Sequence, residues 1–90
     1  MIELRPEVRA FAEAMEMKLR QNDHKGGWAR EGRQELLTKL YVEWIELREA
    51  DKRLVSDPHR FSNRQAVLQE CLDVANFAMM IADNLGLLET

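Results

Sequence analysis

Two pairs of carboxylates, each spaced three residues apart, are the residues of this sequence best suited to chemistry. Glu43 and Glu46 form the first pair, and Glu70 and Asp73 form the second pair after 23 intervening residues. Residues three apart lie on the same side of an α-helix. Clustered carboxylate oxygens bind hard divalent cations, above all Mg²⁺, which also contacts substrate phosphates. The spacing therefore predicts a divalent-cation site and a phosphate-bearing substrate.

The apolar pattern predicts two helices that place these pairs beside a hydrophobic core. One helix runs from about residue 33 to residue 50, and its apolar face carries Leu36, Leu40, Leu47 and Ala50. At about 100° per residue, Glu43 lies roughly 20° from the stripe formed by Leu36, Leu40 and Leu47, and Glu46 lies roughly 60° further round. The later helix has a matching apolar stripe, Val67, Cys71, Val74, Ala78, Ile81 and Leu85. Glu70 flanks that stripe in the same sense, so a hairpin of the two helices brings four carboxylates to one edge of the core.

The rest of the chain divides into one more helix and two connections. Pro6 and the apolar spacing after it predict a first helix that ends near residue 20. The polar segment 21–27, which ends in two glycines, and the polar segment 51–61 are predicted connections, the second with room for one helical turn. The third helix is expected to begin with a capping box at Ser62 and to end at Gly86. With no strand-like alternation, the sequence predicts a single all-α domain over residues 1–90, with three helices.

Three motifs together resemble one family. Glu43-x-x-Glu46 followed by Glu70-x-x-Asp73 looks like the signature of MazG-like nucleoside triphosphate pyrophosphohydrolases, in the all-α NTP pyrophosphatase superfamily. The sequence Lys-Gly-Gly-Trp at 25–28 is similar to a feature of short, phage-type members. The segment 70–83 is similar to the second metal-binding helix of the family. The resemblance implies hydrolysis of a (d)NTP to the monophosphate and pyrophosphate, with Mg²⁺ held by the four carboxylates, in dimers or tetramers.

Further residues have candidate roles in such a reaction. Glu46 is the candidate for orienting the attacking water, although it could equally be a metal ligand alone. The candidates for substrate binding are Lys25, Trp28, Lys39 and Asn76. The lysines would neutralise phosphates, and the indole would stack on a base or cover the helix ends. The amide of Asn76 would bond a sugar hydroxyl or a phosphate, or else join two helices. Mn²⁺ is a possible substitute for Mg²⁺ at this site.

Composition narrows the classes of function. The chain has 90 residues, a formal net charge of −3 and one cysteine. Its charge balance argues against binding to nucleic acid or to an anionic membrane, both of which need a concentrated positive field. A single cysteine cannot form an internal disulfide, and no apolar run approaches the roughly 18 residues of a membrane span. We therefore expect a soluble, cytoplasmic protein.

Apolar residues outside the predicted core indicate self-association. On the second helix, Leu37, Tyr41, Trp44 and Ile45 extend the apolar surface more than halfway round. A helix that is apolar over most of its circumference must be buried on more than one side. We therefore expect at least a homodimer, with paired hairpins forming a four-helix bundle, or a homotetramer. The alternative to an enzyme is a non-catalytic helical association module whose carboxylates form structural salt bridges.

Overall fold

Three α-helices and one short 3₁₀ helix form the part of the chain that the structure describes. The structure is a computed structural model, and it describes residues 2–90. The helices are α1 (Pro6–Gln21), a 3₁₀ turn (Asp23–Lys25), α2 (Arg33–Ser56) and α3 (Phe61–Asn84). These residues include no strand, so the prediction of an all-α fold with three helices is confirmed. None of their helices has both the length and the apolar character required to cross a membrane.

The two long helices α2 and α3 form the predicted hairpin, but the predicted connection between them was too long. Residues 51–56 continue α2 instead of leaving it. Helix α2 ends because Pro58 disfavours the α conformation at Asp57, which adopts φ −147° and ψ 77°. The polarity of the segment reflects its exposure to solvent, not the absence of a helix.

The predicted capping box at the start of α3 was also wrong. Helix α3 begins at Phe61, one residue before Ser62, and its N-cap residue, Arg60, makes no side-chain capping bond. The turn is fastened instead by Asn63, whose Nδ2 donates to the carbonyls of Arg53 (3.2 Å) and Asp57 (3.1 Å). Both carbonyls also accept a backbone N–H, from Asp57 and Arg60, so Asn63 adds a second hydrogen bond to each and joins the start of α3 to the end of α2.

Helix α3 lies at the centre of the fold, because α1 and α2 both pack against it. The backbones of α1 and α2 do not approach each other anywhere in residues 2–90. The arrangement explains why the predicted stripe on α3 identified only part of its buried surface. Leu72 and Asn76 are its buried residues, about 140–180° round the helix from that stripe, whereas Ala78 and Leu85 are exposed.

A groove therefore runs between α1 and α2, with α3 as its floor, and the segment after the 3₁₀ turn closes one end. The indole Nε1 of Trp28 donates to Asp83 Oδ2 at 3.0 Å. Asn84 Nδ2 donates to the carbonyls of Trp28 (2.9 Å) and Glu31 (3.3 Å). Gly86, at φ +73°, follows α3 as predicted, and its N–H donates to the Asp83 carbonyl at 2.9 Å.

Candidate metal site and adjoining pocket

Carboxylates from both helices of the hairpin converge at one point. Glu43 and Glu46 of α2 and Glu70 of α3 each place an oxygen so that the three oxygens lie within 4.8 Å of one another. Oxygen ligands lie about 2.0–2.6 Å from Mg²⁺ or Ca²⁺, so oxygens on opposite sides of one ion are separated by about 4–5 Å. The three carboxylates are therefore close enough to hold a hard divalent cation between them.

The surroundings of this cluster disfavour its negative charge. Burial, followed by the neighbouring Glu46, Glu70 and Asp73, raises the pKa of Glu43 to about 8. Burial also raises the pKa of Glu70, and the charges of Glu46 and Asp73 act in the same direction. One buried oxygen of Glu43 and one of Glu70 have no hydrogen-bond partner. Such oxygens require a proton or a cation, so the donor set fits a divalent metal ion.

Asp73, the fourth predicted ligand, lies beside this group but is paired with a different helix. Its Oδ1 is 3.3 Å from Nζ of Lys18 in α1, and the same ammonium donates to Gln69 Oε1 at 2.8 Å. The charge of Asp73 still acts on Glu43 and Glu70, whose pKa values it helps to raise. The structure thus brings three predicted ligands together and holds the fourth at their edge.

Sequence reasoning missed Lys18, although the sequence carried a signal for it. Lys18 lies seven residues after Phe11 and borders the apolar stripe of α1, about 20° from Phe11 on the helical wheel. A charged residue at the border of an apolar stripe is the same anomaly that singled out Glu43. Its partner could not be deduced from spacing, because Asp73 lies on another helix and is distant in sequence.

A pocket of about 660 Å³ adjoins the carboxylates and occupies the groove between α1 and α2. It is bordered by Glu43 and Asp73 and by all the residues predicted to bind substrate: Lys25, Trp28, Lys39 and Asn76. Lys18 also lines it. Binding pockets for small molecules have volumes of about 300–1,000 Å³, so a nucleotide is within the range of sizes that this groove admits.

The contacts of the predicted substrate-binding residues differ from one another. Lys39 is paired with Glu31, and Lys25 is exposed in the 3₁₀ turn. Trp28 is half-buried and bonded to α3, which fits its alternative role of covering the helix ends. Asn76 is 4% exposed, and its Nδ2 donates to the Met15 carbonyl at 3.3 Å. The observed bond of Asn76 is thus between helices, while its Oδ1 is buried without a partner.

Comparisons of this chain with protein-family models, with curated proteins and with solved structures find no match. The resemblance to MazG-like enzymes therefore rests on the sequence motifs. What the fold adds is the spatial relation between these motifs: Glu43, Glu46 and Glu70 converge with Asp73 at their edge, and the Lys-Gly-Gly-Trp segment borders the adjoining pocket.

Proposed function

We propose that this protein is a Mg²⁺-dependent nucleoside triphosphate pyrophosphohydrolase of the MazG-like kind, which acts in nucleotide-pool control or house-cleaning. One observation carries the proposal: three converging carboxylates adjoin a pocket of about 660 Å³ that is lined by lysines. The carboxylates suit a divalent cation, and the lysines suit the phosphates of a nucleotide. The reaction would convert a (d)NTP to the (d)NMP and pyrophosphate.

Glu43, Glu46, Glu70 and Asp73 would hold Mg²⁺ or Mn²⁺. When bound, the metal would neutralise phosphate charge and favour ionisation of water. Glu46 is the exposed member of the group, so its carboxylate is free to accept a hydrogen bond from a water bound beside the metal. Attack of that water on the α-phosphorus would form one P–O bond and break the bond from phosphorus to the bridging oxygen, which leaves with pyrophosphate, while the proton lost by the water passes to solvent.

The remaining pocket residues would bind the nucleotide. Lys25 and Lys39 lie where their ammonium groups can neutralise phosphates, once Lys39 leaves Glu31. The exposed part of the Trp28 indole offers a face for a base at the closed end of the groove. Asn76 has a free Oδ1 acceptor at the floor of the pocket, which suits a sugar hydroxyl if α1 shifts slightly.

The proposed assembly is a homodimer or homotetramer in which hairpins pair as four-helix bundles. Leu37, Tyr41, Trp44 and Ile45 are all exposed in the single chain. Trp44 is 43% exposed, so it lies outside the core of the subunit, and we propose that it contacts another subunit.

The salt-bridge module is the competing function, and the Lys18–Asp73 pair is the observation that favours it. The other three carboxylates count against it. In the described part of the chain, neither Glu43, Glu46 nor Glu70 forms an ion pair with a lysine or an arginine. A structural module would leave these charges uncompensated, whereas a metal site compensates them.

The test is pyrophosphate release from a panel of dATP, dGTP, dCTP, dUTP and the corresponding ribonucleotides. The proposed function predicts release from at least one of them with MgCl₂, and none with EDTA. Thermal unfolding in the same buffers supplies the second criterion, since a ligand that binds the folded state stabilises it by mass action. No release, together with equal stabilisation by Mg²⁺ and by Na⁺ at matched ionic strength, would establish the association module instead.

A further inference from the structure

Lys18 is the one residue of α1 that forms an ion pair with a predicted metal ligand. Its side chain is 20% exposed, and Nζ lies between Asp73 Oδ1 at 3.3 Å and Gln69 Oε1 at 2.8 Å. Both acceptors belong to α3. The ammonium is thus held at the edge of the carboxylate cluster by two side chains, instead of extending into solvent as most lysines do.

The same ammonium is also placed to meet a substrate. Lys18 lines the pocket together with Asp73, on the α1 side of the groove, opposite Lys39 on α2. Lysine carries a compact charge on a flexible four-carbon stem with three rotatable donors. A small rotation of this stem therefore moves Nζ from the carboxylate toward the pocket without any movement of the helix.

We infer that Lys18 is an exchangeable counter-ion of the site, an inference that rests on the proposed function. Before a divalent cation binds, Lys18 pairs with Asp73 and so competes with the cation for that carboxylate. When Asp73 turns to the cation, the released ammonium binds an oxygen of the triphosphate. Lys18 is then a phosphate-binding residue that α1 contributes, and it links occupancy of the cation site to binding of the phosphate chain.

This role makes two predictions of opposite sign for one variant. Lys18→Met removes a competing positive charge, so Mg²⁺ should bind several-fold more tightly in the absence of phosphate ligands. The same change removes a charged hydrogen bond to the phosphate chain, so tripolyphosphate should bind roughly tenfold more weakly in the presence of Mg²⁺. A merely structural role, in which Lys18 only pins α1 to α3, predicts that both affinities fall.

The experiment is calorimetric titration of the full chain with MgCl₂ alone, and then with tripolyphosphate at saturating MgCl₂. Lys18→Arg keeps the positive charge and should retain tripolyphosphate binding close to that of the wild type. Arg20→Met is the matched control, because Arg20 is exposed on the same helix and pairs only with Glu16, at 3.8 Å. It should leave both affinities unchanged.

The outcomes separate this inference from the proposed function. Tighter Mg²⁺ binding with weaker tripolyphosphate binding in Lys18→Met, restored toward wild type in Lys18→Arg, supports the inference. Affinities that both fall, or that both stay unchanged, overturn it while leaving the proposed function in place. A wild-type protein that binds neither Mg²⁺ nor Mn²⁺ overturns both. Unfolding curves for each variant identify any loss of folded protein, and Lys18→Gln, which removes the charge but keeps a hydrogen-bond donor, takes the place of Lys18→Met if that variant does not fold.

Discussion

Folding disfavours the ionised form of the Glu43 carboxyl group. The free energy of unfolding therefore depends on pH. Its pKa is about 8 in the folded state, against 4.5 for an ordinary glutamate. At intermediate pH the folded state keeps a proton that the unfolded chain has lost. The contribution of Glu43 is therefore fully present below pH 4.5 and is lost as the pH rises through about 8.

Without divalent cations, we therefore expect the melting temperature to fall between about pH 5 and pH 8. Each 1 kcal/mol lost from the free energy of unfolding lowers the melting temperature of a domain of this size by roughly 4–8 °C. Glu43→Gln should flatten the profile and melt higher than wild type at pH 8 in EDTA, as measured by circular dichroism. Glu49→Gln is the control, since Glu49 is exposed and paired only with Lys52. A wild-type profile that rises toward pH 8 would refute the assignment.

Glu70 and Asp73 are the proposed metal ligands on α3. Glu70→Gln and Asp73→Asn should each abolish Mg²⁺-dependent pyrophosphate release while the helical spectrum persists. The loss of activity should exceed the roughly 10- to 100-fold loss that follows mutation of a residue which only hydrogen-bonds to a metal ligand. Near-wild-type turnover in both variants would remove these residues from the site.

The sequence predicts which carboxylates converge because that depends on spacing within a helix. Glu43, Glu46 and Glu70 converge because positions within a helix fix which side chains share a face, and the hairpin brings the two faces together. The pairing of Asp73 with Lys18 joins helices that are distant in sequence. Spacing along the chain contains no information on that contact, so only the three-dimensional structure reveals it.

The segment between the 3₁₀ turn and α2 closes one end of the groove. Asn84, near the end of α3, donates to the carbonyls of Trp28 and Glu31 and so fixes the segment that lies over the pocket. We expect Asn84→Ala to lower the free energy of unfolding by about 1 kcal/mol, since the bonds are exposed to solvent. Urea unfolding measures this loss, with Gln65→Ala, an exposed change on the same helix, as the control. The prediction fails if the two variants unfold alike.

At the level of elements, the errors of the sequence analysis have two physical causes. Residues 51–56 have the polar composition of a connection because exposed helix ends and loops share that composition. Pro58 is the better indicator of where α2 ends. The buried face of α3 was only partly identified because α1 packs on a second side of that helix. A single apolar stripe describes a helix with one neighbour, and α3 has two.

The whole molecule leaves a large apolar face on α2 open to solvent. Tyr41 is 58% exposed and Trp44 43%, and their rings stack with centroids 6.0 Å apart, while the guanidinium of Arg48 lies 5.0 Å from the centre of the Trp44 ring. Tryptophan, tyrosine and arginine are the residues most enriched at the energetic centres of protein interfaces. This face is therefore the expected contact between subunits.

Light scattering tests this expectation. The wild-type protein should have at least twice the chain mass of 10.5 kDa at micromolar concentration. Trp44→Glu should dissociate it, because the interface would have to bury an unpaired charge. Arg53→Glu, a charge change elsewhere on α2, should leave the assembly intact. A wild-type particle of 10.5 kDa would contradict the proposed assembly.

Titration with Mn²⁺ shows whether the carboxylates of the hairpin bind a divalent cation. Electron paramagnetic resonance reports free Mn²⁺ and so measures how much is bound. We expect saturable binding by the wild type and by Glu49→Gln, competition by Mg²⁺, and loss of binding in Glu43→Gln and Glu70→Gln. Binding that does not saturate, or that is unchanged in Glu70→Gln, would show that the carboxylates do not form a metal site.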